Sequence, residues 1–171
     1  MKKLSMITFA ILSVFFLGFF TRQLLPEKQS KSSTMKKVTG IGGVFFKCKD
    51  PEKVNEWYSK HLGLKMSPYG TSFEWRQGDD PTRYGSTQWS TFPDSSGYFD
   101  PSEKDFMINY RVQNLESLVS ELKKEGVTIV DSIESYDYGK FVHILDNEGN
   151  KIELWEPVDT EYDKTVSAGT K

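Results

Sequence analysis

Proton chemistry is the first thing the C-terminal third of the chain suggests. Glu153 lies in Lys151-Ile152-Glu153-Leu154-Trp155-Glu156. The alternation there predicts a strand with Ile152 and Leu154 on one face and Lys151, Glu153 and Trp155 on the other. A carboxylate turned towards a cleft serves as a general base when desolvation raises its pKa; the competing role is a hydrogen-bonded structural acid paired with a cation. His143 falls on a second predicted strand, Lys140–Asp146, and is either a cleft acid/base or an outward residue, between which the pattern does not choose. His61, the only other histidine, falls in the last turn of a predicted helix, where a cation suits the dipole, and reads as structural.

A third segment, Asp105–Val112, alternates as well. Phe106, Ile108, Tyr110 and Val112 share one face, and Met107, Asn109 and Arg111 the other. Arg111 suits two-pronged binding of an anionic substrate group, or a salt bridge at the strand end. Asn109 suits orientation of a carbonyl or hydroxyl. Trp75, Trp89 and Trp155, with Phe73, predict an apolar lining for a flat or hydrophobic small molecule, the alternative being packing between strands. No phosphate loop, nucleophile elbow or zinc motif occurs. The single cysteine, Cys48, permits neither an internal disulfide nor a Cys-based metal site and is expected to be a small core residue.

The elements that must position these residues recur in order. Gly40–Lys49 is β-rich. Asp50-Pro51 is a helix start, with a capping side chain and proline at the first helical position. Val54, Trp57, Tyr58, His61 and Leu62 follow at helical spacing, and Gly63 ends the helix. Short strands are predicted near Leu64–Ser67, Thr71–Gln77 and Ser86–Phe92. After a polar loop around Asp94–Lys104 the pattern restarts: strand, Asn114 as a cap, a helical stripe of Leu115, Leu118, Val119 and Leu122, then Gly126. Strands at Val127–Glu134, Lys140–Asp146 and Lys151–Glu156 follow, the last two joined by the Asn147-Glu148-Gly149-Asn150 turn. Asp50 and Asn114 are offset by 64 and the helix-ending glycines by 63, so the chain repeats a βαβββ unit. The expected fold is α+β: two paired βαβββ units forming a half-open mixed β-barrel with an interior cleft, preceded by an N-terminal hydrophobic helix.

Lys2 and Lys3 precede an apolar run from Leu4 to Phe20. Its length is at the short end for a membrane-spanning helix, and no small-residue cleavage pair follows it. Residues 1–21 are therefore expected to be an uncleaved anchor, or else a secretion signal, with 22–37 a flexible linker, 38–157 the domain and 158–171 a polar tail. Translation from Met35 would instead give a cytoplasmic protein. Residues 1–37 contain seven basic residues and one acid, which leaves 15 basic and 23 acidic residues in the remainder, a net of −8. Such a charge disfavours nucleic acid as a partner. The expected partners are a small-molecule ligand, a membrane through the N-terminal segment, and a second copy of the chain as a candidate.

Asp146-Asn147-Glu148-Gly149-Asn150-Lys151-Ile152-Glu153-Leu154-Trp155-Glu156-Pro157 resembles the terminal hairpin of the vicinal oxygen chelate superfamily, which includes glyoxalase I, extradiol dioxygenases, fosfomycin-modifying enzymes and bleomycin-binding proteins. Asn147 stands where proline is common. Tyr110–Leu115, and Gly40–Phe46 with Asp50-Pro51 and Trp57-Tyr58, resemble the family's unit starts, and the likeness runs from Val38 to Pro157. In metal-using members, ligands come from the first and last strands of each unit. Carried onto this chain, the two first-strand positions fall on Gly43 and Met107. Gly43 has no ligating side chain, and the Met107 thioether is a poor ligand for hard ions. Thr87, Gln88 and Trp89 are the choices on the first unit's last strand, and only Glu153 keeps the expected carboxylate. The resemblance thus implies a domain that binds, and in one version transforms, a small organic molecule without a tightly held metal or other cofactor. Glu153 is then the catalytic candidate, with Asn109, Arg111, Trp89, Trp155 and His143 at the substrate. The alternatives are a metal-dependent lyase or dioxygenase, and a drug-sequestering protein of the bleomycin-binding type.

Overall fold

The computed structural model describes residues 37–161. The expected N-terminal anchor and most of the linker and tail lie outside these residues. Among the described residues no helix is long and apolar enough to cross a membrane.

The first strand, β1 (Val38–Cys48), leads into helix α1 (Pro51–Leu62), followed by β2 (Thr71–Arg76) and β3 (Tyr84–Pro93). The second unit repeats this with β4 (Phe106–Val112), α2 (Leu115–Lys124), β5 (Glu134–Tyr136), β6 (Gly139–Leu145) and β7 (Lys151–Pro157). All seven strands form one mixed sheet in the order β2-β3-β1-β4-β7-β6-β5, an α+β architecture whose edges do not pair to close a barrel. In each unit the first strand runs parallel to the last (β1 with β3, β4 with β7), and β1 meets β4 antiparallel at the centre. The duplication therefore appears in three dimensions as two like halves joined along their first strands.

Two expected strands shrink. Leu64–Ser67 contributes only a bridge between Ser67 and Gly70. Val127–Glu134 is broken after the Ile129–Ile144 bridge, and β5 starts only at Glu134. The break has a local cause: the His143 backbone N–H donates to the Asp131 carboxylate at 2.8 Å, so a side chain takes the place of a ladder carbonyl.

Local signals explain both helices. Asp50 caps α1 by accepting from the Lys53 N–H at 3.1 Å, and Gly63 ends it at φ 71°, where only glycine is free of strain. Asn114 behaves differently from its expected role. Its side chain makes no cap bond; the Glu156 carboxylate on β7 accepts from the N–H groups of Asn114 and Leu115 at 3.0 Å each. An acid at a helix N-terminus satisfies the orphan donors and the dipole together. The main core lies between α2 and the second half of the sheet, with Leu115, Leu118 and Val119 against Val142, Ile144 and Leu154. α1 buries no residue fully; Tyr58 meets Trp89 at 4.6 Å between ring centroids.

The β6–β7 turn fixes the register that matters for the site. Asp146 accepts from the N–H groups of Glu148 and Asn150 at 2.9 Å each, and Gly149 takes φ 77°. That turn sets His143 directly opposite Glu153.

Candidate functional site

One row of residues crosses the sheet on the face away from α2. Pairing places Ser72 beside Gln88, Gln88 beside Gly43, Gly43 beside Asn109, Asn109 beside Glu153 and Glu153 beside His143. Directly paired residues share a face, so His143 is turned to the same side as Glu153. This row, Gly43 apart, lines a cleft of about 1700 Å³ that also extends along α1.

Glu153 is the hub. Its side chain is buried, and three groups converge on it. The Tyr98 hydroxyl and the Asn109 amide Nδ2 donate to its two oxygens, and His143 Nε2 lies 3.1 Å from Oε1. The other ring nitrogen of His143, Nδ1, is 2.6 Å from Asp131 Oδ2. Asp131 thereby holds the imidazole by both its ring and its backbone N–H. Burial acts to lower the His143 pKa, but hydrogen bonds to Glu153 and Asp131 and the charge of Glu153 outweigh it, and the pKa rises above its ordinary value. A histidine held between two carboxylates is accordingly set to keep its proton near neutrality.

Tyr98 arrives from the loop expected to be merely polar. Ser96 caps a single 3-10 turn, Gly97–Phe99. Phe99 is fully buried against Phe45 and Met107, which pins the turn to the sheet. The Lys151 ammonium fastens it further by donating to the Tyr98 carbonyl at 2.7 Å. Burial, then the charge of Glu153, pushes the Tyr98 phenol far above its usual range, so it remains a neutral donor. Burial lowers the pKa of Lys151.

The remaining expected site residues divide. Asn109 and Trp155 border the cleft with Glu153 and His143. Trp89 does not: its ring packs on Tyr58 and Phe46, on the side covered by α1, because it alternates with Gln88 and Ser90 along β3. Trp89, expected at the substrate, thus stands outside the residues that border the cleft. Arg111 also lies outside them. It is buried and ion-paired with Asp159, and its guanidinium lies over Trp155 at 4.9 Å and near Trp75 at 5.6 Å. The salt-bridge alternative is the one the structure adopts. Tyr98 and Asp131 escaped sequence reasoning. An aromatic pair in a polar loop, Tyr98-Phe99, was the available signal for the first; nothing in the pattern marked the second.

Glycine at position 42 makes room for this arrangement. A Cβ there would collide with Asn109 Oδ1 and come within 2.8 Å of the Trp155 ring. Gly42→Ala is expected to push Asn109 off Glu153 and to cost about 1–3 kcal/mol of stability, read by chemical denaturation.

The model of the Glyoxalase/Bleomycin resistance protein/Dioxygenase superfamily matches residues 40–154. The chain belongs to that superfamily. Among solved structures, a Streptomyces coelicolor methylmalonyl-CoA epimerase variant in complex with 2-nitronate-propionyl-CoA is similar, with TM-score 0.53 and 12% identity over 71% of this chain and 99% of that one. The Mycobacterium tuberculosis methylmalonyl-CoA epimerase gives TM-score 0.49 and 23% identity over 74% and 93%. A superfamily member from Vibrio splendidus gives 0.45 and 12% over 68% and 97%. Likeness at these identities is likeness of fold. No curated protein matches the sequence.

The superfamily's metal positions can be tested against these side chains. At Gly43 an added Cβ would meet the Phe45 ring, so that ring fills the space of a ligand. The register corrects the second-unit position: Asn109, not Met107, lies opposite Gly43 and beside Glu153, with its amide Nδ2 turned to Glu153, whereas Met107 is fully buried beside Phe45 and Phe99. The Gln88 amide donates to the Tyr69 carbonyl at 2.6 Å, and its oxygen accepts from Ser72 at 2.7 Å. Among the described residues no cluster of three or more His, Cys, Asp or Glu side chains is placed to hold a metal. Of the four positions the resemblance assigns to a metal, only Glu153 carries a carboxylate, a sparse set for a divalent ion.

Proposed function

We propose that this superfamily domain binds a small organic molecule in the cleft and moves a proton on it with Glu153 and His143, without a metal. The observation that carries this reading is the buried Glu153 carboxylate at the cleft floor, linked through His143 to Asp131 and held by Tyr98 and Asn109. A base is effective when it is fixed, partly desolvated and coupled to a second group that can accept or return the proton. Asp131 plays the positioning part by fixing the imidazole's orientation. The lack of a ligating side chain at Gly43, and an Asn109 amide already bonded to Glu153, support the metal-free form of the reading over a metal-dependent lyase or dioxygenase.

The test is a thermal-shift screen of small organic molecules against the full chain, since a ligand that binds only the folded state raises its melting temperature. A hit is then incubated in deuterated water at neutral pH and examined by NMR for exchange of a carbon-bound hydrogen. The proposal expects exchange that Glu153→Gln removes while binding persists. Binding with no exchange for any hit favours the sequestering alternative and contradicts proton transfer.

The raised His143 pKa gives a further expectation. A folded pKa above the unfolded one means that the protonated imidazole stabilises the fold fully below about 6.5. That contribution disappears as pH rises through the folded value. Asp131→Asn removes one carboxylate partner, so the NMR titration midpoint of His143 should fall and the loss of stability should be smaller and complete at lower pH.

A further inference from the structure

One wall of the cleft is aromatic and acidic, and the reading above does not use it. The Tyr136 and Tyr138 rings stack with centroids 5.4 Å apart and planes within 7°. Phe141 and Trp155 stack at 5.7 Å and 8°. The pairs meet edge to face, Phe141 against Tyr138 at 5.7 Å. All four side chains border the cleft. They come from the β5–β6 hairpin and from β7, two residues beyond Glu153. Such rings present electron-rich faces that favour cations and other aromatic planes.

Carboxylates frame this wall. Glu134 accepts from the Tyr136 hydroxyl at 2.7 Å, and both Glu134 and Glu153 border the cleft. Their charges, after burial, raise the Tyr138 phenol pKa. The cations near them are already engaged, Arg111 lying over the Trp155 ring at 4.9 Å and paired with Asp159. Lys151 is tied to the Tyr98 carbonyl. His143 sits between two carboxylates. The cleft lysines, Lys60 and Lys65, lie on or just after α1.

A second observation points to the same ligand. Asn109 is buried, and its Oδ1 has no hydrogen-bond partner. The amide cannot turn over to relieve this, because Nδ2 is committed to Glu153. Oδ1 lies over Gly42 at the cleft floor. An unpaired buried acceptor beside a carboxylate calls for an N–H donor from the ligand.

We propose that the ligand of this cleft is a planar aromatic cation carrying an N–H donor. Its ring lies on the Tyr136–Tyr138–Phe141–Trp155 wall, and its charged N–H group points to Glu153 and Asn109. A polyanionic ligand would bring like charge to Glu134 and Glu153. This inference rests on the cleft being a ligand site and names the class of ligand.

Calorimetry on the full chain at low ionic strength tests it with three probes of one shape: the 4-aminoquinolinium cation, neutral 1-naphthylamine and the 1-naphthoate anion. The cation is expected to bind about tenfold tighter than the neutral probe and the anion to give no binding. Tyr136→Leu, at a ring half exposed on the sheet edge, and Glu134→Gln should each weaken the cation about fivefold without disturbing the fold. The proposal is overturned if no probe binds, if the neutral or anionic probe binds as tightly as the cation, or if both variants leave cation affinity unchanged. Neither variant alters Glu153, His143 or Tyr98, so the two readings fail separately. Hydrogen exchange on a screening hit with no cation binding sinks the ligand class alone. Cation binding with no Glu153-dependent exchange sinks proton transfer alone.

Discussion

Glu153→Gln is expected to lower turnover of any molecule transformed in this cleft by about 10²–10⁴-fold, the range over which a positioned acid or base contributes. Glutamine has the size of glutamate and can still accept from Tyr98 or Asn109, so the fold and the cleft survive. What it cannot do is take up a proton. His143 also loses the carboxylate that favours its charged form, so its pKa should fall towards the ordinary value. Three readouts separate catalysis from structure: the melting temperature should hold, binding should persist though weakened for a cationic ligand, and hydrogen exchange should vanish. A variant that loses stability and binding together would make Glu153 a packing residue. A variant that loses nothing would make it a bystander.

Asp159→Ala should produce the largest loss of stability, about 3–5 kcal/mol, the cost typical of removing one partner from a buried pair. Arg111 is 2% exposed, and its Nη2 donates to Asp159. Its Nη1 already lacks a partner, so truncation would leave a buried guanidinium with only the Trp75 and Trp155 rings for compensation. Asp159 also accepts from Gln77 Nε2 at 3.0 Å, which ties β2's end to the chain after β7. Urea unfolding of the variant measures the cost. A change below about 1 kcal/mol, the scale of a surface pair, would mean that the pair is effectively solvated. The same contacts carry the ordered fold beyond Pro157, where the sequence pattern ends the domain.

The sequence was most informative where the signal is local. Capping at Asp50, the left-handed glycine at 63 and the Asp146–Asn150 turn each follow from neighbours in the chain, and they place α1 and the β6–β7 hairpin correctly. Alternation likewise set Glu153, Asn109 and Trp155 on one face. Residues whose role depends on distant partners were hidden. The face of His143 depended on its register with Glu153 across the hairpin. Asp131 acts by breaking a strand, which no hydrophobic period records. Tyr98 reaches the site because Phe99 beside it plugs a cleft-face core assembled from both halves of the sheet. Trp89 was assigned to the cleft on residue type alone, and one position of strand register moved it to the helix side. Arg111 shows the same limit, since Asp159 lies 48 residues away.

The central claim is that this superfamily domain works on its ligand through Glu153 and His143 rather than through a metal. The most direct measurement is hydrogen exchange on a screening hit by the purified full chain, before and after exhaustive chelation, with metal content determined on the same samples. The account predicts metal far below stoichiometric and an exchange rate unchanged by chelation. Stoichiometric divalent metal, with exchange lost on chelation and restored by adding the ion back, would contradict it.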